Sequence, residues 1–370
     1  MTILIFLLVL SVLVLIHEAG HFFAARFFGV HVEEFGFGFP PRVFGWIKEN
    51  GKWRRVRAQE KGPFQKTVWS VNALPLGGFV RLKGEVTDGE NDGNSFHTQS
   101  IWKRLVILFA GVLMNWVLAF VLFLVVFSFG SRSLLLDLPV DAQVESRQVL
   151  IEGVAPDSPA ERAHFVAGAE VLSIGGIHPT STSHAQALIK AQTEETFPMQ
   201  ISVDGEDRVE EIRAEYIPSY EMSGIGVALA DVGVVSLPPI QAVRASFYSV
   251  VGYSKVVAVT LAEVLRGFVI RKPSGIELSG PVGIAVISGQ AARQGIISLL
   301  EFMAILSVNL AVLNILPIPA LDGGRVLFLA IEKIRGRPMS RTVEAIIHNI
   351  AFFILIALIL IVTAVDISRL

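Results

Sequence analysis

The 370 residues are 52% hydrophobic and 17% charged, with a formal net charge of −2 and no cysteine. That balance points to several membrane spans and one modest soluble domain. Without thiols there are no disulfides and no thiolate metal sites, so any transition metal must be held by His, Asp or Glu.

The chain opens on an apolar run from Met1 to Ile16. His17-Glu18-Ala19-Gly20-His21 follows, and then apolar residues return at Phe22-Phe23-Ala24-Ala25. No basic segment precedes the run and no small-residue cleavage site follows it, so it reads as a retained span rather than a signal peptide. Ionisable groups at membrane depth are costly and therefore functional by default. On a helix, residues four apart share a face, so His17 and His21 can grip one Zn²⁺ while Glu18 acts as base. Two histidines that merely pack helices together would leave Glu18 unexplained. A metal ion offsets the burial of that carboxylate and calls for neutral imidazoles.

Residues 29–104 form a polar segment. Residues 22–104 carry 13 Lys and Arg against 8 Asp and Glu, a net of +5. Glu34-Phe35-Gly36-Phe37-Gly38-Phe39 alternates aromatic residues with glycine, which favours a strand. Residues 69–82 read as a β-hairpin turning near Pro75, Leu76, Gly77 and Gly78. It is too apolar for full solvation: it either packs on the spans or offers an edge strand to an extended peptide. A second span is expected at 105–129, with Asn115 in its middle as interhelical glue.

Residues 130–240 carry 6 Lys and Arg against 17 Asp and Glu, a net of −11. Within them, 148–221 reads as a compact domain with strands at 149–154, 170–174 and 199–203 and a helix at 184–191. Residues 241–270 are apolar, but Arg244, Lys255, Glu263 and Arg266 recur through them, so an interfacial amphipathic helix is expected. Further spans are expected at 299–316 and 345–365. Basic residues cluster at Lys103 and Arg104 and again at Arg325, Lys333, Arg335, Arg337 and Arg341. The positive-inside rule then places both termini and the acidic domain outside. Spans one and three both enter from outside, so His17, His21 and Asp322 can meet towards the cytoplasmic face.

Catalytic zinc usually has three protein ligands and one open position. Asp322 is the candidate for the third, after Pro317 and Pro319 stop a helix and before Gly323-Gly324 permits a turn; it could instead cap the next helix. Asn314 could bond a substrate carbonyl or hold two spans together. There is no serine-hydrolase elbow, phosphate loop or dinucleotide fingerprint, and membrane topology accounts for the basic loop without nucleic acid.

Several motifs together resemble the site-2 protease family of intramembrane zinc metalloproteases, most closely its RseP-like bacterial branch. They are the His17 to His21 motif, Gly36-Phe37-Gly38, Leu74-Pro75-Leu76-Gly77-Gly78-Phe79-Val80, Ala110-Gly111-Val112-Leu113-Met114-Asn115, Ser279-Gly280-Pro281-Val282-Gly283-Ile284, and the stretch from Asn309 to Gly324. The resemblance implies one zinc ion on His17, His21 and Asp322, with Glu18 activating water and Asn314 touching substrate. It implies that Leu76, Gly77, Gly78, Phe79 and Val80 belong to a membrane-associated β-hairpin that clamps the substrate as an added strand. It also implies a PDZ-like outer domain, through Val154-Ala155-Pro156-Asp157-Ser158-Pro159-Ala160 and Val171-Leu172-Ser173-Ile174-Gly175-Gly176. There is room for one such domain where two are usual, and Ala163-His164-Phe165 and Gly168-Ala169 depart from the usual turn.

The expected protein is a four-span α-helical membrane protein with one extracytoplasmic PDZ-like α+β domain. Its divisions are 1–28 (span with the His-Glu motif), 29–104 (cytoplasmic-side loop with the hairpin), 105–129 (span), 130–235 (PDZ-like domain), 236–298 (interfacial helices), 299–324 (span ending at Asp322), 325–344 (cytoplasmic loop) and 345–370 (last span and C-terminus). It would act as a monomer in the bacterial cytoplasmic membrane. It would cut single-span proteins such as anti-sigma factors or remnant signal peptides. The alternative is a membrane adaptor whose PDZ-like domain captures peptides, with zinc only structural.

Overall fold

A computed structural model describes residues 1–60, 62, 64–84, 93–134, 143–192, 195–203, 206–217, 222–270, 280–337 and 339–368. In chain order, α1 (Thr2–Phe27) leads into β1 (Val32–Glu49), β2 (Lys52–Arg57), β3 (Val68–Leu82) and α2 (Ile101–Phe129). Then come β4 (Ser131–Leu134), β5 (Gln143–Val154), α3 (Pro159–Arg162), β6 (Glu170–Ile174), α4 (Thr182–Ala191), β7 (Phe197–Val203) and β8 (Glu206–Ile212). β9 (Glu215–Ile217), β10 (Met222–Gly224) and β11 (Val227–Ser236) precede α5 (Pro239–Ile270), α6 (Pro281–Gln294), α7 (Ile296–Ile315), α8 (Asp322–Arg335) and α9 (Arg341–Ser368). The chain divides into two compact units, residues 1–125 with 243–370, and residues 126–242.

In the first unit, α1, α2, α7 and α9 are apolar on all sides, the pattern of helices that lie in lipid or deep in protein. Among the described residues five helices are long and apolar enough to cross a membrane, the fifth being Pro239–Val264 within α5. The chain is therefore a polytopic membrane protein. The charges that recur through α5 are spread thinly enough to leave a span-length apolar stretch beside the interfacial character expected of it. The end of α7 follows from proline sterics. Leu316 stands before Pro317 and adopts φ −63°, ψ 141°, because a residue ahead of proline is pushed out of the helical region. Six residues later α8 begins at Asp322.

The loop expected to hold a hairpin is a three-stranded sheet of order β2-β1-β3. The 69–82 segment does fold back on itself, but its two limbs do not pair with each other. The limb at 34–37 of β1 lies between them, matching Phe35 to both Val80 and Trp69 and Phe37 to both Gly78 and Val71. The far limb of β1 then pairs with β2, from Phe44 opposite Arg57 to Glu49 opposite Lys52. The run of aromatic residues and glycine at 35–39 explains the insertion, since Gly36 fits beneath Phe79, Asn72 and Ser70, where a Cβ would collide. Phe22 of α1, Phe35 and Trp69 form a triangle with ring centroids 5.2–5.4 Å apart. Each such pair contributes about 0.5–1.5 kcal/mol beyond area burial. Around it, Ala25, Val32, Leu82, Ile107, Leu108 and Leu329 make a core that joins α1, the sheet, α2 and α8.

Glu34 is buried within this sheet and accepts two hydrogen bonds from Arg42, at 2.8 and 2.6 Å. Burial alone would raise its pKa. The Arg42 bonds and the nearby Ser70 and Arg81 outweigh that and hold the carboxyl below its ordinary range.

The second unit is a six-stranded antiparallel sheet of order β4-β11-β5-β6-β7-β8. Ile151, Val171, Ile174, Phe197, Met199 and Ile201 form its core, with Ala185 and Ile189 of α4 packed on them. Ser158 caps α3 by accepting from the Glu161 amide at 3.2 Å, and Ser181 caps α4 by accepting from the His184 amide at 3.1 Å. The 149–154, 170–174, 184–191 and 199–203 elements all appear. The domain extends past residue 221, however, because β11 fills the place between β4 and β5.

Candidate metal and catalytic centre

Helical periodicity puts His17 and His21 one above the other on α1, and both are buried. Their Nε2 atoms lie 3.2 Å apart. Asp322, at the start of α8, brings Oδ2 to 2.9 Å from His17 Nε2 and 3.2 Å from His21 Nε2. It does not cap its helix: Leu321 holds the cap position and there is no side-chain cap bond. The His17, His21 and Asp322 donors are a group able to hold a metal ion among the described residues.

The spacing fits zinc. Donors about 2.0–2.1 Å from a tetrahedral zinc stand about 3.3 Å apart, close to the three distances here. Asp322 Oδ2 is fully buried and has no hydrogen-bond partner, although two imidazole nitrogens face it. A buried acceptor in that position is costly unless something else satisfies it, and a cation at the common focus of the three atoms does so.

Two backbone features bring the groups this close. Gly20 and Gly111 sit where α1 meets α2. A Cβ on Gly20 would strike the Ala110 carbonyl, and one on Gly111 would strike the rings of His21 and His17. On the other side, Ala320 holds φ +84° in the loop before Asp322, and its N–H donates to His348 Nδ1 of α9 at 2.9 Å. Residue spacing shows neither feature, although the Ala110 to Asn115 motif marks the right turn of α2.

The α2 wall also orients the rings. His21 Nδ1 lies 2.9 Å from the Ile107 carbonyl. A carbonyl can only accept, so the proton is on Nδ1 and the Nε2 lone pair is left for a metal. The side chain of Asn115 approaches His17 Nδ1 at 3.2 Å, while Ser307 Oγ of α7 donates to the Asn115 carbonyl at 2.8 Å. Asn115 thus does join helices, as expected: its side chain reaches α1 and its backbone carbonyl reaches α7.

Glu18 follows His17 on α1, and its Oε2 accepts a hydrogen bond from the Val80 N–H of β3 at 3.0 Å. The turn preceding Val80 rests on α1: a Cβ on Gly77, whose φ is +96°, would press into Val14, and Gly78 lies against Leu15. Gly77, Gly78, Phe79 and Val80 therefore stand beside Glu18, and the Leu76 side chain lies outside the described residues. Asn314 is half-buried in the last turn of α7 and makes no hydrogen bond to His17, Glu18, His21 or Asp322.

The family model of peptidase family M50 matches residues 5–358. A protein named as a zinc metalloprotease in Clostridium perfringens is 32% identical over 366 residues, covering 98% of this chain and 97% of its own. The zinc metalloprotease RasP of Geobacillus kaustophilus is 27% identical, covering 98% and 97%. One from Brucella suis is 29% identical, covering 95% and 91%. With a model that spans almost its whole length and relatives matched end to end, this chain belongs to peptidase family M50, the site-2 proteases, and is a zinc metalloprotease.

Proposed function

We propose that the chain hydrolyses peptide bonds in the membrane-spanning segments of single-span proteins, with His17, His21 and Asp322 holding the zinc and Glu18 as the catalytic base. The observation that carries this reading is the convergence of three donor atoms within 3.2 Å of one another, one residue from a carboxylate hydrogen-bonded to a strand edge. Zinc held by these residues would lower the pKa of a bound water to about 7 and polarise the scissile carbonyl. Glu18, one residue along from His17, would serve as the general base and return the proton to the departing amine. A helical substrate must first unwind, because its carbonyls are hydrogen-bonded. β3 offers the unwound segment a partner: the Gly77 to Val80 limb pairs with β1 on one side, and its Val80 amide already faces Glu18 on the other. Asn314, at the end of α7, is a donor for the substrate carbonyl.

The same packing supports four crossings with both termini on one side. Gly289 of α6 meets Thr2 at the start of α1, and the Gly280 and Gly283 amides at the start of α6 donate to Asp366 near the end of α9. His348, near the other end of α9, reaches the loop before Asp322. α5 is read as lying along the interface, because Arg244, Lys255, Glu263 and Arg266 recur through it, which leaves α1, α2, α7 and α9 as the four crossings. The charge asymmetry puts the termini and the acidic unit outside the cytoplasmic membrane of a bacterium.

That acidic unit is read as a single PDZ-like domain. Between α4 (Gln186, Ile189, Lys190) and Ile225–Leu229 lies a cavity of about 780 Å³, shaped for an extended peptide. It favours a second reading, peptide capture by an adaptor with structural zinc. One experiment separates the two. The protein and its Glu18→Gln variant are reconstituted with a tagged single-span protein, and fragments and bound zinc are measured. The variant is expected to keep zinc and lose cleavage by about 10²–10⁴-fold. Cleavage at the normal rate by the variant would refute Glu18 as base, and absence of chelator-sensitive fragments from the unaltered protein would favour the adaptor.

A further inference from the structure

The two histidines are treated alike by α2. His21 meets the Ile107 carbonyl and His17 meets Asn115, with Gly111 halfway between. Residues 107, 111 and 115 recur at four-residue intervals and so line one face of α2. That face is matched, in the opposite direction, to the four-residue spacing of His17 and His21. Asn115 is fully buried, and its Oδ1 has no hydrogen-bond partner although its Nδ2 lies 3.2 Å from His17 Nδ1.

The two ends of a carboxamide exchange by a half-turn, and the choice between them rests on the surrounding hydrogen bonds. If Nδ2 donated to Nδ1, the imidazole proton would sit on Nε2, the very atom that faces Asp322 and His21. The ring could not then ligate through Nε2, and the amide oxygen would stay buried and unpaired. With Oδ1 towards Nδ1, the oxygen gains a donor, the proton is fixed on Nδ1, and the Nε2 lone pair points to the focus of the three donors. The Ser307 hydroxyl pins the Asn115 backbone, so the amide is held at the right height on α2.

We infer that Asn115 is a positioning residue for the zinc site: its side-chain oxygen accepts from His17 Nδ1–H and fixes the tautomer in which His17 binds metal, as the Ile107 carbonyl does for His21. This rests on His17 and His21 being zinc ligands. Partners of this kind typically govern metal affinity by 10–100-fold.

The test is zinc affinity, measured on the purified full chain in detergent by competition with a chromophoric chelator. It compares the unaltered protein, Asn115→Leu, Asn115→Asp and His17→Ala. Asn115→Leu, similar in size but without an acceptor, is expected to bind zinc about 10–100-fold more weakly. Asn115→Asp keeps an oxygen acceptor and loses the N–H donor, so it is expected to bind zinc at least as tightly as the unaltered protein. Unchanged affinity in Asn115→Leu would overturn the inference. So would an Asn115→Asp protein as weak as Asn115→Leu, because that would make the amide N–H the working group. If Asn115→Leu does not fold, Asn115→Ala, which also lacks an acceptor, takes its place with the same expected loss and the same refuting outcome. Zinc affinity unaffected by His17→Ala would instead overturn the ligand assignment underneath, a failure distinct from that of Asn115.

Discussion

Gly111→Ala adds a single methyl group at the point where α2 touches both histidines. The new carbon would lie 2.7 Å from His21 Cε1 and 2.8 Å from His17 Cε1, and closer still to His21 Nε2. Carbon atoms rest about 3.5–4.0 Å apart, so each ring must retreat by roughly 0.7–1.3 Å. Metal–ligand distances tolerate about 0.2 Å. Without metal the rings can turn aside, so the cost falls on the zinc-bound state. Overpacking of this kind costs about 1–3 kcal/mol, which at about 1.4 kcal/mol per tenfold is a loss of roughly 5- to 150-fold in zinc affinity. Chelator competition measures that loss directly. Thermal unfolding with and without zinc checks its origin, since ligand stabilisation falls with affinity while the metal-free protein keeps its melting temperature. A Gly111→Ala protein that binds zinc within about twofold of the unaltered one would refute this account of the α1–α2 crossing.

Two further outcomes follow from groups outside the centre. The pKa of Glu34 is lowered in the folded state, so its stabilising contribution is complete above about pH 4.5 and is lost as pH falls below that value. The melting-temperature difference between the unaltered protein and Glu34→Gln should accordingly be large near neutrality and shrink towards zero in acid; a gap that widened as pH fell would contradict the Arg42 pairing. His348→Leu removes the acceptor for the half-buried Ala320 amide, and leaving that donor unmatched costs up to about 1 kcal/mol. A lowered melting temperature with an intact His17–His21 pair is expected, and no change would show that the loop before Asp322 does not depend on α9.

How far the sequence carried depends on the range of the interaction concerned. His17, Glu18 and His21 are legible because their relation is local, one turn of one helix with costly groups in an apolar run. Asp322 is legible in kind, because Pro317 and Pro319 announce a helix end. Only the fold shows that its oxygen reaches both imidazoles and does not cap α8. The sheet was misjudged as a self-paired hairpin because alternation of residue types fixes which face each side chain takes, not which strand lies alongside. The 34–37 limb comes from some forty residues earlier in the chain. Asn115 shows the same limit more sharply. A polar residue in the middle of an apolar helix announces that it has a partner, and nothing in its neighbours says whether that partner is a helix or an imidazole ring.

α1 serves two tasks on two faces. Successive residues of an α-helix are about 100° apart, so Glu18 leaves α1 beside the stripe that carries His17 and His21 rather than on it. That stripe meets α2 and Asp322, whereas Glu18 meets Val80 on the edge of β3. Displacing α2 therefore disturbs the donor set and should register first in zinc affinity. Displacing the Gly77 to Val80 turn disturbs Glu18, the proposed base, and the strand beside it, and should register in cleavage while zinc stays bound. Under the proposed roles, metal capture leans on α2 and Asp322 and substrate alignment on the Gly77 to Val80 turn, so each can be perturbed from its own neighbour of one helix.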